Sequence, residues 1–177
     1  ICRHCGWSEP IDFSPGIKGK TIHKNPLTGK DCKGATSSYH LGHRFMTDVL
    51  EISLDGRERL LYDRHAMMSL MYALLDGASE ALGIRRDDID STLFYKDFQR
   101  PPHMILFDSV AGSAGHVEHI NKKILLVTET ALNKVSSCEC GEDTSCYNCL
   151  RNYRNQFFHD DLQRGIAIKL LKAMLNK

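Results

Sequence analysis

The sequence predicts a mixed α+β fold, in which a small β-sheet is packed by about three helices. Three observations support this prediction. Several short segments alternate polar and apolar residues, longer segments repeat apolar residues at helical spacing, and seven cysteines cluster near the two ends of the chain. The 177 residues are enough for one ordinary domain with a small appendage. We therefore predict a ribbon-like element over residues 1–40 and an α/β domain over residues 41–177.

The first forty residues are rich in Gly, Lys, Pro, Ser and Thr and show little periodicity. We expect a loop-dominated element there, which needs an outside source of stability such as a bound metal ion. Residues 48–54 alternate with period two and are followed by Asp55-Gly56, a turn signal. This pattern predicts a strand, with a hairpin as an alternative.

The most regular helical pattern follows directly. Asp63 is a suitable N-cap, and Gly83 is a suitable left-handed stop. Between them the apolar residues recur at intervals of three and four, which predicts a helix over this whole segment. The residues that carry the pattern are Met67, Leu70, Met71, Leu74, Ala78, Ala81 and Leu82.

Two further strands and two further helices complete the predicted domain. Residues 91–95 and 104–110 have the composition of strands, and the second is apolar enough to be central. A glycine turn leads into a second helix around residues 117–135. We predict that Asp160 or Asp161 caps a third helix, whose apolar face would carry Leu162, Ile166, Leu170 and Met174.

Four cysteines lie within twelve residues of one another near the C-terminal end. Their spacing allows one short loop to surround a single tetrahedral ion, and the residues between them are turn formers. Since sulfur would occupy all four positions, we expect a structural zinc ion and not a catalytic one. The alternative is a set of unligated thiols or a redox pair. The predicted ligands are Cys138, Cys140, Cys146 and Cys149.

The N-terminal cysteines form an incomplete set. Cys2, Cys5 and Cys32 supply three thiols, so a second zinc site needs one more ligand. His23 is our first choice, because Pro26 and Gly29 allow the intervening loop to fold back toward Cys32. A ligand upstream of Ile1 and a zinc ribbon that has lost its last ligand stay open, and the competing histidines are His4, His40 and His43.

Composition bounds the function and the location. The formal net charge is +1, from 23 Lys plus Arg against 22 Asp plus Glu, so any contact with nucleic acid must come from local patches. No apolar run approaches the ~18 residues of a membrane helix, and we expect no membrane partner. Closely spaced thiols are typical of zinc sites in a reducing cytoplasm. We expect a cytoplasmic fragment of a longer protein.

Two segments are candidates for contact with DNA. Between Gly16 and Gly34 five lysines are opposed only by Asp31, and the segment after Cys149 mixes cations, amides and aromatic rings. An ordinary solvated face that covers buried phenylalanines is the alternative. The candidate nucleic-acid residues are Lys18, Lys20, Lys24, Arg151, Tyr153 and Arg154.

Three motifs resemble catalytic or nucleotide sites, but their context is wrong. Residues 14–21 end in Gly-Lys-Thr, yet no hydrophobic strand precedes them, so we expect no ATP binding. Residues 111–115 resemble a loose nucleophile elbow around Ser113, which equally serves a tight turn. The strand acids Asp48, Glu51 and Asp108 lack the acidic-x-Lys element of a restriction-type nuclease. We expect no catalytic residue.

Residues 138–164, read with residues 41–50 and 108–115, resemble the MrfA-type zinc-binding domain. In that family the domain lies C-terminal to the motor of superfamily-two DEAD/DEAH-box DNA helicases, including repair helicases. It also occurs in the DrmB-type helicase partner subunit of the DISARM anti-phage system. The family's four-cysteine site matches the C-terminal cysteines, while His159 and Arg164 match motif positions to which the resemblance gives no certain role. The turn Gly112–Gly115 departs from the family's Gly-Gly-Ala-Gly by Ser113.

The resemblance implies a noncatalytic, zinc-stabilised accessory domain of a DNA helicase or of a helicase-partner subunit. Such a domain would assist DNA binding and helicase function in DNA repair or anti-phage defence. Its partners would be DNA and a helicase motor, either in the same chain or as a separate subunit. Two alternatives remain at this point: a metal-dependent nuclease or hydrolase with its own active site, and a pure protein-interaction module.

Overall fold

The computed structural model describes residues 1–9, 22–39, 42, 44–56, 58–97 and 99–176. The chain forms two compact units, Ile1–Arg44 and Phe45–Lys177. Within the residues described, no helix has both the length and the apolar character to cross a bilayer.

The first unit is built around a short hairpin. Strand β1 (His23–Lys24) pairs antiparallel with β2 (Asp31–Cys32). Asn25 forms the turn between them: its side-chain oxygen accepts the N–H of Leu27 at 2.9 Å, and its carbonyl accepts the N–H of Gly29 at 2.8 Å. This local bonding folds the chain back as the Pro and Gly of the loop predict. An isolated bridge joins Cys2 to Thr36.

The second unit contains a three-stranded antiparallel sheet. Its strands are β3 (Val49–Ile52), β4 (Ile89–Phe94) and β5 (His103–Asp108), in the order β3-β5-β4. The prediction of a central third strand is confirmed. On one face of β5, Met104 and Leu106 are fully buried, because a central strand is covered by its neighbours and by the helices.

Helix α1 (Arg64–Leu82) agrees closely with the prediction. The Asp63 side chain accepts the N–H of Ala66 at 2.8 Å, and Gly83 closes the helix with φ 64°. Every residue from Ala66 to Ala78 is buried, since α1 contacts α3 (Ile124–Ser137), α4 (Arg164–Met174) and the sheet. The core of the second unit is therefore built around one helix.

The helix expected over residues 117–135 is interrupted. It consists of α2 (His116–Lys122) and α3, with Lys123 between them at φ −122°. The N–H of Lys123 is shared between the carbonyls of His119 and Ile120, at 3.2 and 3.1 Å. This tightening lets α2 pack against the sheet while α3 packs along α1. Sequence periodicity alone does not show such a break.

The cap predicted for the last helix is wrong. Asp160 and Asp161 lie in a 3₁₀ segment, Tyr153–Asp161, and α4 begins three residues after it, with no side-chain cap. Carbonyl groups of the cysteine loop replace that cap, because Thr144 O accepts the N–H of Arg164 at 2.8 Å and Glu142 O accepts that of Gly165 at 2.9 Å. The overall prediction of a mixed α+β fold is confirmed.

Candidate metal centres

Four sulfur atoms converge in the C-terminal cysteine loop. The Sγ atoms of Cys138 and Cys146 lie 3.4 Å apart, those of Cys138 and Cys140 3.5 Å, those of Cys140 and Cys149 3.7 Å, and those of Cys146 and Cys149 3.9 Å. A tetrahedron with Zn–S bonds of ~2.3 Å has edges of ~3.8 Å. A disulfide would need ~2.05 Å, and all four thiols are free. The geometry fits one tetrahedral zinc ion.

Local bonding of the chain brings the last two cysteines together. The carbonyl of Cys146 accepts three successive N–H groups, from Cys149 at 3.1 Å, Leu150 at 3.1 Å and Arg151 at 3.0 Å. The N–H of Asn148 also points to the Cys146 sulfur at 3.4 Å. A backbone N–H near sulfur stabilises the thiolate form that a metal requires. This turn therefore both shapes the loop and prepares it for a cation.

Arg164 connects the two helices that flank the loop. Its side chain is buried, and Nη1 donates to the carbonyl of Val135 at the end of α3, 3.1 Å away. Its own N–H donates to Thr144 within the cysteine loop. Arg164 thus holds the start of α4 against the segment that leads into Cys138. This is a positioning role for a residue to which the family resemblance assigned none.

Arg151 supports the loop from the other side. Its Nε donates to the Ser145 hydroxyl at 2.9 Å, and its Nη2 reaches Thr144 Oγ1 at 3.4 Å and the carbonyl of His159 at 3.2 Å. Ser145 is itself buried. The guanidinium that we considered as a DNA contact is therefore engaged within the protein.

A polar network fixes the 3₁₀ segment after the cluster. Asn155 is fully buried; its Nδ2 donates to Leu150 O at 2.8 Å, and its Oδ1 accepts the N–H of Asn152 at 2.8 Å. His159 Nε2 lies 3.0 Å from the same Oδ1 and 3.1 Å from Asn152 O. Both partners are acceptors, so Nε2 carries the proton. Sequence reasoning missed Asn152 and Asn155; their capping-box pattern at a three-residue interval was the signal available.

The thiols of the C-terminal cluster differ widely in pKa. The backbone N–H of Cys140 lowers the pKa of the Cys138 thiol to about 7, against an opposing effect of burial. Burial raises the pKa of Cys140 and raises that of Cys149 strongly. A buried thiolate without a counter-charge is costly, and a divalent cation removes that cost. The cluster is thus built for a metal and not for four free thiols.

The N-terminal unit assembles a second group of four ligands. Cys2, Cys5, His23 and Cys32 place one ligand atom each within 4.8 Å of one another. Sγ of Cys5 lies 3.2 Å from His23 Nε2, and the sulfurs of Cys2 and Cys32 are 4.0 Å apart. The β1–β2 register aligns His23 directly with Cys32, which explains how residues nine positions apart meet.

The surroundings of His23 fit a metal ligand. The imidazole is buried, stacks on Trp7 with centroids 4.6 Å apart, and has no hydrogen-bond partner for Nδ1 among the residues described. Nε2 faces the thiols, which is the orientation that coordination requires. Burial raises the pKa of Cys2, but N–H groups of Cys5 and His4 more than offset it and bring the pKa to about 6. Three thiols and one imidazole are a usual structural zinc set.

Close packing also shapes this cluster. A Cβ atom on Gly34 would lie 2.8 Å from the Cβ of His4 and 2.9 Å from the Cys2 sulfur. Only glycine lets the chain after Cys32 pass so near the ligands. Of the competing histidines, His4 is exposed and is not among the four grouped residues. His40 and His43 lie outside the described residues.

The remaining candidate DNA contacts are dispersed. Lys24 is exposed on β1, while Lys18 and Lys20 lie outside the described residues. Tyr153 is exposed, and Arg154 pairs with Asp87 at 3.0 Å. Arg151, Tyr153 and Arg154 lie on one segment of the second unit, after the C-terminal cluster, and Lys24 belongs to the first unit.

The strand acids have structural partners. Asp108 is fully buried, and its carboxylate accepts the N–H groups of Ala114 at 2.7 Å, His116 at 3.1 Å and Val117 at 3.0 Å, together with the Ser113 hydroxyl at 2.9 Å. Burial raises the pKa of Asp108, but these donors hold it below its usual value. Ser113 is consequently a donor to this carboxylate, which ties the turn at residues 112–115 to β5.

The remaining strand acids lie on the exposed side of β3 or before it. Glu51 accepts hydrogen bonds from Lys96 Nζ at 2.5 Å and from His103 Nδ1. The bond from Lys96 is the main reason that the pKa of Glu51 is lowered. Asp48 precedes β3 and is exposed. The carboxylates of Asp108 and Glu51 therefore both accept hydrogen bonds from other groups of the protein.

Comparison with known families agrees with this geometry. Residues 70–150 match the MrfA Zn-binding domain, and the match includes the whole C-terminal cysteine cluster. Residues 70–150 are thus similar to the MrfA Zn-binding domain. Zinc is therefore its cofactor, and the two clusters of four ligand atoms are where the chain gathers suitable donors. The N-terminal cluster lies outside the matched residues.

Related proteins are much longer than this chain. The Druantia protein DruE of Escherichia coli (strain UMEA 4076-1) is 28% identical over an alignment of 198 residues. The alignment covers 99% of this chain and 11% of DruE. The crystal structure of the DUF1998 helicase MrfA bound to DNA matches with a TM-score of 0.58 at 18% identity, over 85% of this chain and 20% of that one. The same helicase bound to DNA and AMPPNP gives 0.53 at 18% identity, over 84% and 18%. The two matches show that this chain shares its fold with a part of that helicase.

Proposed function

We propose that this chain is a noncatalytic, zinc-stabilised accessory domain of a DNA helicase or of a helicase-partner subunit. It assists DNA binding and helicase function in DNA repair or anti-phage defence, in the cytoplasm. The named relatives support this proposal, since one is a helicase bound to DNA and the other a Druantia protein. The motor lies in the same polypeptide or in a partner.

The observation that carries the proposal is that each cluster offers a complete set of four protein ligands. Four protein ligands surround each ion position, so a bound zinc would have no place for water or substrate. We assign one ion to Cys138, Cys140, Cys146 and Cys149, and a second to Cys2, Cys5, His23 and Cys32. The ions act as cross-links that hold short loops in one conformation.

The surfaces beside the clusters support contact with DNA. Between residues 144 and 159 the sequence has two arginines and neither Asp nor Glu, and Arg154 is exposed within it. Lys24 is exposed next to His23 on β1. Cations on exposed positions bind phosphates without regard to sequence. Since Arg151 braces the loop, we assign the direct contacts to Arg154 and Lys24.

Metal analysis tests the zinc assignment. The full chain, purified under reducing conditions, should contain about two zinc ions, in keeping with four ligands per ion. Cys138→Ser and His23→Ala should each lose one ion, whereas Ser137→Ala, next to the C-terminal cluster, should keep both. A metal-free chain that still unfolds cooperatively would contradict the proposal.

DNA binding is tested by fluorescence anisotropy with labelled single and double strands. Arg154→Ala and Lys24→Ala should weaken binding and each reduce the slope of log affinity against log salt by about one. Lys122→Ala is the matched control, because this exposed lysine pairs with Glu118 in an i,i+4 arrangement on α2. Equal binding by all variants would refute the assigned contacts.

The two alternative functions have distinct outcomes. Cleavage of labelled DNA with Mg²⁺ or Mn²⁺, abolished by Asp108→Asn in a folded variant, would favour a nuclease. Flat anisotropy at low salt, with a helicase retained on pull-down, would favour a pure protein-interaction module. The saturated hydrogen bonding of Asp108 leads us to expect no cleavage.

A further inference from the structure

Three aromatic side chains beside the C-terminal cluster are strongly exposed. Tyr147 is 67% exposed, Tyr153 82% and Phe157 94%. An exposed phenylalanine contributes nothing to the core, and three such rings lie within eleven residues of sequence. Exposed rings of this kind mark an interaction surface.

The protein holds these rings outward. Asn155 lies between Tyr153 and Phe157 in the chain. It is fully buried and forms hydrogen bonds with Leu150 and Asn152. Phe158 turns inward toward Tyr72, with ring centroids 6.4 Å apart. Because the residues on either side are anchored, the outward directions of Tyr153 and Phe157 are built into the fold.

Tyr147 belongs to the same surface through His159. Its ring meets the imidazole edge to face, with centroids 5.4 Å apart, and that imidazole is fixed by Asn152 and Asn155. The cysteine loop and the 3₁₀ segment are thus joined by an aromatic contact. A ring that is both exposed and braced loses little conformational entropy when it binds.

Charge identifies the partner. The segment from Thr144 to His159 has no acidic residue. Arg151 is engaged in bracing the cysteine loop, but the Arg154 guanidinium is half-exposed in its surface pair with Asp87, and the exposed Arg64 lies over the Phe158 ring at 5.6 Å. Exposed guanidinium groups beside exposed rings are suited to a polyanion that carries flat groups. The sheet also exposes a ring, Phe94, but it lies opposite His103, which pairs with the acid Glu51, and it is less suited to phosphate.

We propose that Tyr147, Tyr153 and Phe157 form a stacking surface for the unpaired bases of single-stranded DNA. This rests on the proposed function and names the form of DNA that the segment recognises. Bases are free to stack on side chains only where the duplex is open, so single strands should bind better than duplex of the same length. Since every base has a flat face, recognition is independent of sequence.

The test compares binding of the zinc-loaded full chain to labelled oligothymidylate and to duplex DNA, both of about 15 nucleotides, within the usual site size. Phe157→Ala and Tyr153→Ala should each weaken single-strand binding by about fivefold to 150-fold and leave the salt slope unchanged. Duplex binding should change little. Phe157→Trp should bind as the parent does, and its indole fluorescence should be quenched by the oligonucleotide.

Phe94→Ala is the matched control, since it removes a half-exposed ring from the sheet of the same unit. Unchanged single-strand binding in both Phe157→Ala and Tyr153→Ala, with zinc content preserved, would overturn the stacking surface while leaving DNA binding intact. Absence of any DNA binding by the parent chain would overturn the proposed function itself, and the stacking surface with it. Capture of a protein partner that depends on Phe157 without DNA binding would assign the surface to protein and overturn the inference.

Discussion

Arg164 donates a hydrogen bond from Nη1 to the carbonyl oxygen of Val135, which lies 29 positions earlier in the chain and 3.1 Å away. Val135 is in the last turn of α3, just before the cysteine loop, and Arg164 is the first residue of α4, just after the 3₁₀ segment. One buried guanidinium therefore links the two ends of the metal-binding region. The four cysteines are positioned between these ends.

Replacement of Arg164 should loosen this region. Arg164→Ala leaves the Val135 carbonyl without its donor, so we expect a loss of about 1–3 kcal/mol in the free energy of unfolding and faster zinc release to a chelator. Urea unfolding and a colorimetric chelator measure the two effects. Arg85→Ala, which removes an exposed arginine, should cost at most about 1 kcal/mol. Equal zinc release from both variants would contradict the positioning role.

Asp108 should stabilise the second unit in a pH-dependent way. Its carboxylate accepts four hydrogen bonds, and its pKa is lowered in the folded state, so its contribution is complete well above the unfolded value of ~3.9 and is lost as pH falls through the folded pKa. Asp108→Asn puts an amide donor among N–H donors and should cost about 1–3 kcal/mol at pH 7.

Urea midpoints of both proteins, measured from neutral pH downward, test this expectation. The difference between parent and Asp108→Asn should be constant near neutrality and shrink as the pH falls below ~4. Taking the difference removes the acid sensitivity of the cysteine clusters, which both proteins share. A difference that persists unchanged at the lowest pH would show that the carboxylate charge does not contribute.

Gly34 should be required by the N-terminal cluster. Gly34→Ala places a Cβ atom 2.9 Å from the Cys2 sulfur and 3.3 Å from that of Cys32, so the ligands must shift. Overpacking costs about 1–3 kcal/mol, which corresponds to roughly a fivefold to 150-fold weakening of zinc affinity. Competition with a chelator should release one of two zinc ions early.

Gly42→Ala is the control, because its added Cβ would meet none of the residues that the structure describes within 4 Å. It should retain both ions under the same chelator concentration. If Gly34→Ala also retains both, the close approach at this position does not limit coordination.

Asn155 should couple stability to DNA contact. Asn155→Ala removes the donor to Leu150 and the acceptor for Asn152 and His159, with an expected cost of about 1–3 kcal/mol. Because the same network directs Tyr153 and Phe157 outward, single-strand affinity should fall as well. Gln156→Ala, an exposed neighbouring amide, should change neither quantity. Loss of stability with unchanged affinity would separate the network from the stacking surface.

Local features of the chain could be predicted well. The limits of α1 follow from Asp63 and Gly83, because a cap and a left-handed stop act over three or four residues. The four C-terminal cysteines lie within twelve residues of sequence, so one short loop is enough to bring them together. The central position of β5 follows from its continuous apolar run.

Other features depended on contacts between distant segments. Helix α4 begins at Arg164, and neither Asp160 nor Asp161 caps it, because carbonyls of the cysteine loop accept its first N–H groups. The break at Lys123 lets α2 and α3 pack on different neighbours. Neither feature can be predicted from the periodicity of the sequence, since both depend on contacts with residues that are remote in sequence.

The sequence by itself determined the fold class, the main helix and the zinc-binding character, because caps, periodicity and closely spaced thiols act through neighbours along the chain. Tertiary structure decided what the polar side chains do. Asp108 became a hydrogen-bond acceptor for a turn, Arg151 a brace and Arg164 a link between helices, while Phe157 was left exposed. Burying an unpaired polar group costs free energy, so the folded chain gives Asp108, Arg151 and Arg164 hydrogen-bond partners. That cost arises only when the chain has folded.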